Sequence, residues 1–324
     1  MFSRESDFTR TFDFADQGRW GELTALLLEV EDAMEKGGPE LRDLVRLRDH
    51  IARVIVGDGS RAAAAWTVEH RYAVDGETLS ADVLSSVRTW DEVGPFLTEP
   101  RLRALVAHGR VMRGDDLSRE ADLDRAWGFG VPYALEPWEA EKWDADGFPY
   151  AHLPRGGGGH EVPYIAGQYP ATEVVAVPGP PMQPAPFDRM PHTYASAARM
   201  HGTAMQALAR NLHHMDIRDG VQASVVPFSA AYPLLISALG GQSAYGPPPS
   251  EAHGRLALWR LLGRMANLTE PLAPEAVAAF VARVECLAWI YPYPVSYEPL
   301  YAAHLVIADP VGGTAWVLDG ESYD

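Results

Sequence analysis

The sequence predicts an α+β protein, with a helical N-terminal region followed by an α+β module that ends in a β-hairpin. Two observations predict this class. Apolar residues recur at helical spacing through the first third of the chain, and two apolar runs near the C-terminus flank the turn sequence DPVGGT. We predict three regions, which are a helical domain at 1–126, a connector at 127–191 and an α+β domain at 192–324.

The helical region consists of short amphipathic segments. The first apolar stripe has the i, i+3, i+4, i+7 spacing of one helix face and comprises Leu23, Leu26, Leu27 and Val30. A similar stripe runs through residues 44–55, after the glycine pair at 37–38. Further segments with helical character are residues 61–71, 80–87 and 100–113. Short helices joined by short breaks predict helix pairs, an arrangement that also occurs in small solenoids.

The predicted connector is rich in proline, glycine and aromatic residues. Proline and glycine at this density exclude long helices and most central strands. Two short runs within it have β character, at 161–165 and 172–177. We therefore predict a connector that is anchored by its aromatic residues and ends in a proline-rich linker.

The last region mixes helical and strand patterns. Its predicted helices are 192–215, 230–239, 251–268 with Ser250 as the N-cap, and 274–286. Its predicted strands are 220–226, 301–308 and 315–318, the last two forming the terminal hairpin. Long helices combined with a hairpin are typical of the α+β class.

Charge and composition argue against several classes of function. The 324-residue chain has a formal net charge of −17 at pH 7, whereas nucleic acid and anionic lipid select clustered Lys and Arg. We therefore expect no nucleic-acid partner and no membrane association. The N-terminal residues lack the apolar core of a signal peptide. Cys286 is the single cysteine, which is typical of a protein from a reducing compartment, so we expect a cytoplasmic location.

Three stretches of the chain carry a family resemblance. They are RLRALVAHGRVMRGDDL at 101–117 followed by PYALEPWEAE, then HGRLALWRLL at 253–262, and finally VECLAWIY through TAWVLDGESYD at the C-terminus. In this order they resemble an uncharacterised actinobacterial family, a domain of unknown function with LRAxLVHExxLRG, GRLAxWR and C-terminal VLAATDTD-like motifs. The chain departs from that pattern before the second motif and in its final residues. The resemblance implies one architecture for the whole chain and no particular activity.

The richest polar cluster is NLHHMDIRD at 211–219. Histidine and carboxylate groups together support acid–base catalysis, so His213, Asp216 and Asp309 are the candidate catalytic residues. Adjacent histidines on a helix point about 100° apart, and the spacing matches no zinc signature. We therefore predict no metal site and no cofactor. His and Arg at a helix C-terminus also complement the helix dipole, and this structural interpretation is the stronger one.

Aromatic residues form two further clusters, in WEAEKWDADGFPY and WIYPYPVSYEPLY. Trp and Tyr beside carboxylates suit a groove for a sugar, a cation or a peptide, although aromatic residues are also ordinary core anchors. The candidate binding residues are Trp138, Trp143, Tyr291, Tyr293 and Arg255.

These observations favour a non-enzymatic interaction or accessory protein whose partner is another protein. The alternative is an enzyme with a His/carboxylate site in the C-terminal half. Clustering of His213, Asp216 and Asp309 in one cleft would favour the enzyme, and their dispersal would favour the interaction protein. The sequence leaves the oligomeric state open.

Overall fold

The computed structural model describes residues 4–37, 41–76, 79–120, 122–123, 127–140, 168–185, 194–240, 250–290 and 301–322. These residues form two compact units, Met1–Trp127 and Gly128–Asp324. The fold class is α+β, with a helical first unit and an antiparallel sheet in the second. No described helix combines the length and the apolar character needed to cross a membrane.

In its described residues, the first unit contains helices and one 3-10 turn at Gly94–Phe96. The helices are α1 Arg4–Asp16, α2 Trp20–Glu35, α3 Leu41–Asp58, α4 Arg61–Asp75, α5 Leu79–Val87, α6 Trp90–Val93 and α7 Pro100–Val111. Helix α3 contacts α1, α2, α4 and α5. The predicted stripe from Leu23 to Val30 is buried against the corresponding stripe of α3, so the helical periodicity of the sequence correctly identified the core of this unit.

The second unit contains five helices and seven strands in its described residues. The helices are α8 Pro137–Ala140, α9 Ala204–His214, α10 Phe228–Leu239, α11 Glu251–Met265 and α12 Pro274–Val281. The strands are β1 Ala171–Val174, β2 Gln183–Pro184, β3 Tyr194–His201, β4 Val221–Val226, β5 Glu285–Ile290, β6 Tyr301–Asp309 and β7 Thr314–Ser322. The sheet order is β1-β4-β5-β6-β7-β3-β2, with every neighbouring pair antiparallel.

Helices cover both faces of this sheet. Helix α9 packs on one face, where its apolar residues meet alternate residues of β5, β6 and β7. Helix α10 contacts β5 and β6, and Phe280 of α12 lies edge-on against Trp316 on the other face. Because both faces are covered, the central strands carry almost continuous apolar sequence. The predicted terminal hairpin is confirmed as β6 and β7.

The predicted helix at 192–215 is wrong in its first half. Residues Tyr194–His201 form β3, which pairs along its length with β7. Gly202 adopts a φ of 145°, a conformation that favours glycine, and Thr203 then caps α9 in a capping box with Gln206. The alanine-rich segment favours a helix locally, but sheet pairing overrides that preference.

Two other helices end earlier in the structure than the sequence predicted. The predicted helix at 251–268 ends at Met265, although Ser250 does cap it by accepting from the His253 amide. The predicted helix at 274–286 ends at Val281, so that Cys286 lies in β5. Residues 128–140 and 168–185, which we assigned to a connector, lie in the second unit and supply α8, β1 and β2. The predicted β run at 161–165 lies outside the described residues.

Candidate anion-binding pocket

A pocket of about 240 Å³ opens in the second unit beside the turn that joins β6 to β7. Arg199 of β3 and Trp316 of β7 form its sheet wall, while Leu261, Arg264 and Met265 of α11 form its helical wall. The ends of both elements supply further lining from Asn267, Gly312 and Thr314. The site therefore combines apolar and polar groups from segments that are distant in sequence.

Local geometry explains why these side chains face one space. Arg199 lies directly opposite Trp316 in the β3–β7 register, so both side chains lie on the same face of the sheet. Leu261, Arg264 and Met265 are spaced i, i+3 and i+4, which places them on one face of α11. Leu261, Met265 and Trp316 are buried, while the two arginines are exposed. The pocket thus has an apolar floor and a basic rim.

Asp309 also lines the pocket, but its carboxylate is fully engaged. Its Oδ1 accepts from Arg283 Nε at 3.1 Å and from the Val311 amide at 3.0 Å. Its Oδ2 accepts from Arg283 Nη2 at 3.0 Å, and the Gly312 amide donates to the same carboxylate. These contacts match the roughly four acceptor sites of a carboxylate. The hydrogen bonds from Arg283 and the turn amides hold the pKa of Asp309 below its usual value.

The described lining of the pocket carries an arginine without a carboxylate partner, although the protein as a whole is acidic. Arg283 neutralises Asp309, and the hydrogen bonds to that carboxylate raise the pKa of Arg283 above its usual value. Within the described parts of the chain, Arg199 makes no ion pair with a carboxylate. Arg199 therefore contributes positive charge to a cavity in a chain of net charge −17. A low-dielectric recess focuses such a local charge.

The candidate catalytic residues lie near opposite ends of helix α9. Helix α9 starts at the β6–β7 turn, where the Gly202 amide donates to the Gly313 carbonyl at 3.0 Å, and Asp309 belongs to that turn region. His213 and Asp216 lie at the far end of this 11-residue helix, about 16 Å along its axis. Both side chains are exposed, and Asp216 pairs with Arg218 at 3.0 Å. The structure does not bring the three residues together.

Two of the candidate binding residues belong to a buried polar cluster. The side chains of Arg255 and Glu139 are both 0% exposed, and Arg255 Nε donates to Glu139 Oε1 at 2.8 Å. The same oxygen accepts from Trp259 Nε1 at 2.9 Å and from the Tyr232 hydroxyl at 3.1 Å. The Trp138 ring packs against Trp259 at 5.2 Å. Trp143, Tyr291 and Tyr293 lie outside the described residues.

This cluster joins two of the stretches that carry the family resemblance, because Glu139 comes from PYALEPWEAE and Arg255 from HGRLALWRLL. Arg255 also donates to the carbonyls of Pro132 and Ala134, each at 2.9 Å. Burial opposes the charge of Arg255, but Glu139 raises its pKa above the ordinary value. Burial and the same carboxylate raise the pKa of Tyr232. Arg255 therefore fixes the 132–139 segment on α10 and α11 and is closed to solvent.

Sequence reasoning missed a second buried pair, on the α9 face of the sheet. His304 Nδ1 lies 2.7 Å from Asp319 Oδ1, and each side chain is only 5% exposed. The Trp289 ring lies 5.3 Å from the imidazole. The predicted hairpin could have revealed this pair, because its turn sets a register in which residues 304 and 319 face each other. Both side chains are therefore almost completely removed from solvent.

Arg199 and Arg264 were also missed. The segment around Arg199 has helical character in isolation, and a single arginine near the end of α11 carries no motif. Within the described residues, no group of three or more His, Cys, Asp or Glu side chains is placed to hold a metal ion. Comparison of the chain with protein-family models, curated protein sequences and solved structures gave no match.

Proposed function

We propose that this chain is a non-enzymatic interaction protein that binds an anionic group of a partner protein in the Arg199–Arg264 pocket. The observation that carries the proposal is Arg199, an exposed arginine at the rim of a pocket whose only lining carboxylate within the described residues, Asp309, is already neutralised by Arg283. Guanidinium groups recognise carboxylate and phosphate through paired hydrogen bonds.

Two features support a protein as the partner. The turn that supplies Gly312 to the pocket also carries Val311, whose side chain is 79% exposed. A partner bound at the pocket would contact Val311 as well, and protein interfaces combine apolar and polar contacts of this kind. The negative charge of the remaining surface opposes acidic ligands elsewhere, so an acidic partner group would favour this pocket.

The dispersal of His213, Asp216 and Asp309 supports this proposal over the enzyme alternative. Asp309 has its acceptor sites occupied, while His213 and Asp216 are solvent-exposed at the far end of α9. The single cysteine supports a cytoplasmic location for the interaction. The family resemblance adds an actinobacterial origin to the proposal.

The proposal is tested with a synthetic pool of random decapeptides with free termini. Immobilised protein captures peptides from the pool, and mass spectrometry identifies those that are retained. We expect the retained peptides to be lost with Arg199→Gln and to be kept with Arg218→Gln. Arg218 is a matched control because it is an exposed arginine of the same unit at a distance from the pocket. Equal capture by wild type and Arg199→Gln would contradict the proposal.

A further inference from the structure

We infer that His50 of α3 makes the docking of helix α1 sensitive to pH, so that mild acid releases α1 from the first unit. The inference concerns the first unit and is independent of the proposed function. It rests on the contacts that hold α1, on the surroundings of the His50 ring and on the weakness of α1 as an isolated helix.

Helix α1 is anchored by phenylalanine side chains. Its sequence RESDFTRTFDFAD holds three large apolar residues, Phe8, Phe12 and Phe14. Two of them contact His50, because the ring centroids of Phe8 and His50 lie 5.0 Å apart and those of Phe12 and His50 lie 5.2 Å apart. Phe8 and Phe14 also pack against the buried stripes of α2 and α3. The His50 ring is therefore a main contact between α1 and α3.

The position of the ring disfavours a positive charge. Within the described chain, Nε2 of His50 is buried and makes no hydrogen bond. A neutral imidazole can leave that nitrogen without a proton, whereas an imidazolium places an N–H there that lacks an acceptor. Burial lowers the pKa of His50, and the charge of Arg53 lowers it further.

The charged residues of α3 do not compensate an imidazolium at this position. Those within two turns of His50 are three arginines and two aspartates, namely Asp43, Arg46, Arg48, Asp49 and Arg53. Arg46 and Arg53 lie one turn from His50 on either side. Arg48 donates to Asp49 at 2.9 Å, so this carboxylate already has a counter-charge. The remaining local field therefore opposes protonation.

The helices that face α3 do not supply the missing counter-charge either. On α1, the charged side chains that the structure describes are Arg10, Asp13 and Asp16, and all three are exposed. On α2, Glu31 is engaged by His70 of α4, with 2.6 Å between Oε2 and Nε2. Arg53 is the charged group that shifts the pKa of His50.

Helix α1 has little stability of its own. It has 13 residues, and isolated helices shorter than about 12–15 residues are marginal in water. Its last turn contains Asp13 and Asp16 but no basic residue, an arrangement that the helix dipole disfavours. Helix α1 therefore depends on docking, and single elements of a folded unit can open without unfolding of the whole unit.

Acid should favour the released state. When α1 is released, the His50 ring is exposed to water and titrates near the ordinary pKa of 6.5. The docked state binds the proton less readily, so released α1 gains population as the pH falls. Between pH 7.5 and 5.5, the equilibrium constant for release should rise by up to about tenfold, the limit being reached if the docked ring stays neutral.

The test is hydrogen exchange of the full chain at pH 7.5 and 5.5, read by mass spectrometry on peptides that cover α1. A synthetic peptide of residues 4–18 gives the exchange rate of unprotected amides at each pH. We expect the protection factor of α1 to fall by about threefold to tenfold at pH 5.5. At both pH values, α1 should be less protected than α4, because α1 opens by itself.

Two variants assign the effect to His50. His50→Phe keeps an aromatic ring between Phe8 and Phe12 but cannot titrate, so the protection of α1 should be equal at the two pH values. His50→Gln also cannot titrate, and it should remove the pH dependence even if the lost ring lowers protection at both values. His213→Gln is the control, because His213 is an exposed histidine of the second unit, and it should leave the response of α1 unchanged.

Four results would overturn the inference. The first is a wild-type protection factor that does not change between the two pH values. The second is a pH response that persists in both His50 variants, which assigns it to another group. The third is equal protection of α1 and α4, which means that α1 opens only when the unit unfolds. The fourth is a rise in protection at pH 5.5, which means that the phenylalanine rings stabilise the imidazolium by cation–π contacts.

Discussion

Removal of the buried Glu139 carboxylate should destabilise the second unit more than most single substitutions. In Glu139→Ala, Arg255 keeps its contacts with the carbonyls of Pro132 and Ala134 but loses the carboxylate with which it forms a buried ion pair. The Tyr232 hydroxyl and the Trp259 indole lose the oxygen to which they donate. The substitution therefore removes the principal counter-charge of a fully buried arginine, and the carboxylate of Glu136 interacts with that arginine less strongly.

The structure sets the size of the expected effect. Removal of one partner from a buried ion pair costs about 3–5 kcal/mol, against a typical domain stability of about 5–15 kcal/mol. For a unit of this size, a loss of about 3 kcal/mol lowers the melting temperature by roughly 6–12 °C. Tyr232→Phe removes only one neutral donor to the same oxygen, so it should cost about 0.5–1.5 kcal/mol.

The assay must report on the second unit alone, because two units need not unfold together. Native-state hydrogen exchange of the α10 and α11 amides provides this readout, and urea unfolding gives the free energies for comparison. Glu139→Leu combined with Arg255→Met should cost less than the sum of the two single changes, because neither charge is then buried alone. A cost below about 1 kcal/mol for Glu139→Ala, or strict additivity in the double variant, would refute the reasoning.

Two further predictions follow from buried titratable groups. Burial raises the pKa of Cys286 to about 12, so the native thiol should resist Ellman's reagent at pH 8 and react only after denaturation; rapid reaction of the native chain would contradict this. His50 packs against the Phe8 and Phe12 rings, and burial followed by the charge of Arg53 lowers its pKa. The His50 imidazole therefore binds a proton more readily in the unfolded chain than in the folded one. The free energy of unfolding of the first unit should then fall as the pH drops through the ordinary histidine pKa of 6.5. Urea unfolding between pH 7.5 and 5.5 checks this, and His50→Gln should flatten the dependence.

The predictions that succeeded depend on residues close together in sequence. The stripe from Leu23 to Val30 predicts one buried helix face because its spacing lies within a single helix. Ser250 predicts an N-cap because the amide it accepts from is only three residues away. The hairpin of β6 and β7 is equally local, since one short turn fixes its register.

The failures depend on partners far along the chain. Tyr194–His201 has the alanine content of a helix, but it pairs with β7, more than 100 residues later, and this pairing decides its conformation. The buried ion pair of Glu139 and Arg255 spans 116 residues. Neither residue carries a local signal that it will meet the other.

By itself, the sequence determined the α+β class, the apolar faces of the helices and the terminal hairpin, because periodicity and turn chemistry act over a few residues. Only the tertiary structure decided where the polar groups meet. It separated His213 and Asp216 from Asp309, neutralised Asp309 with Arg283, and brought Arg199 into one pocket with α11. The physical reason is that a strand, a helix and a turn that are distant in sequence form one site only through long-range packing. Short-range sequence patterns do not encode that packing.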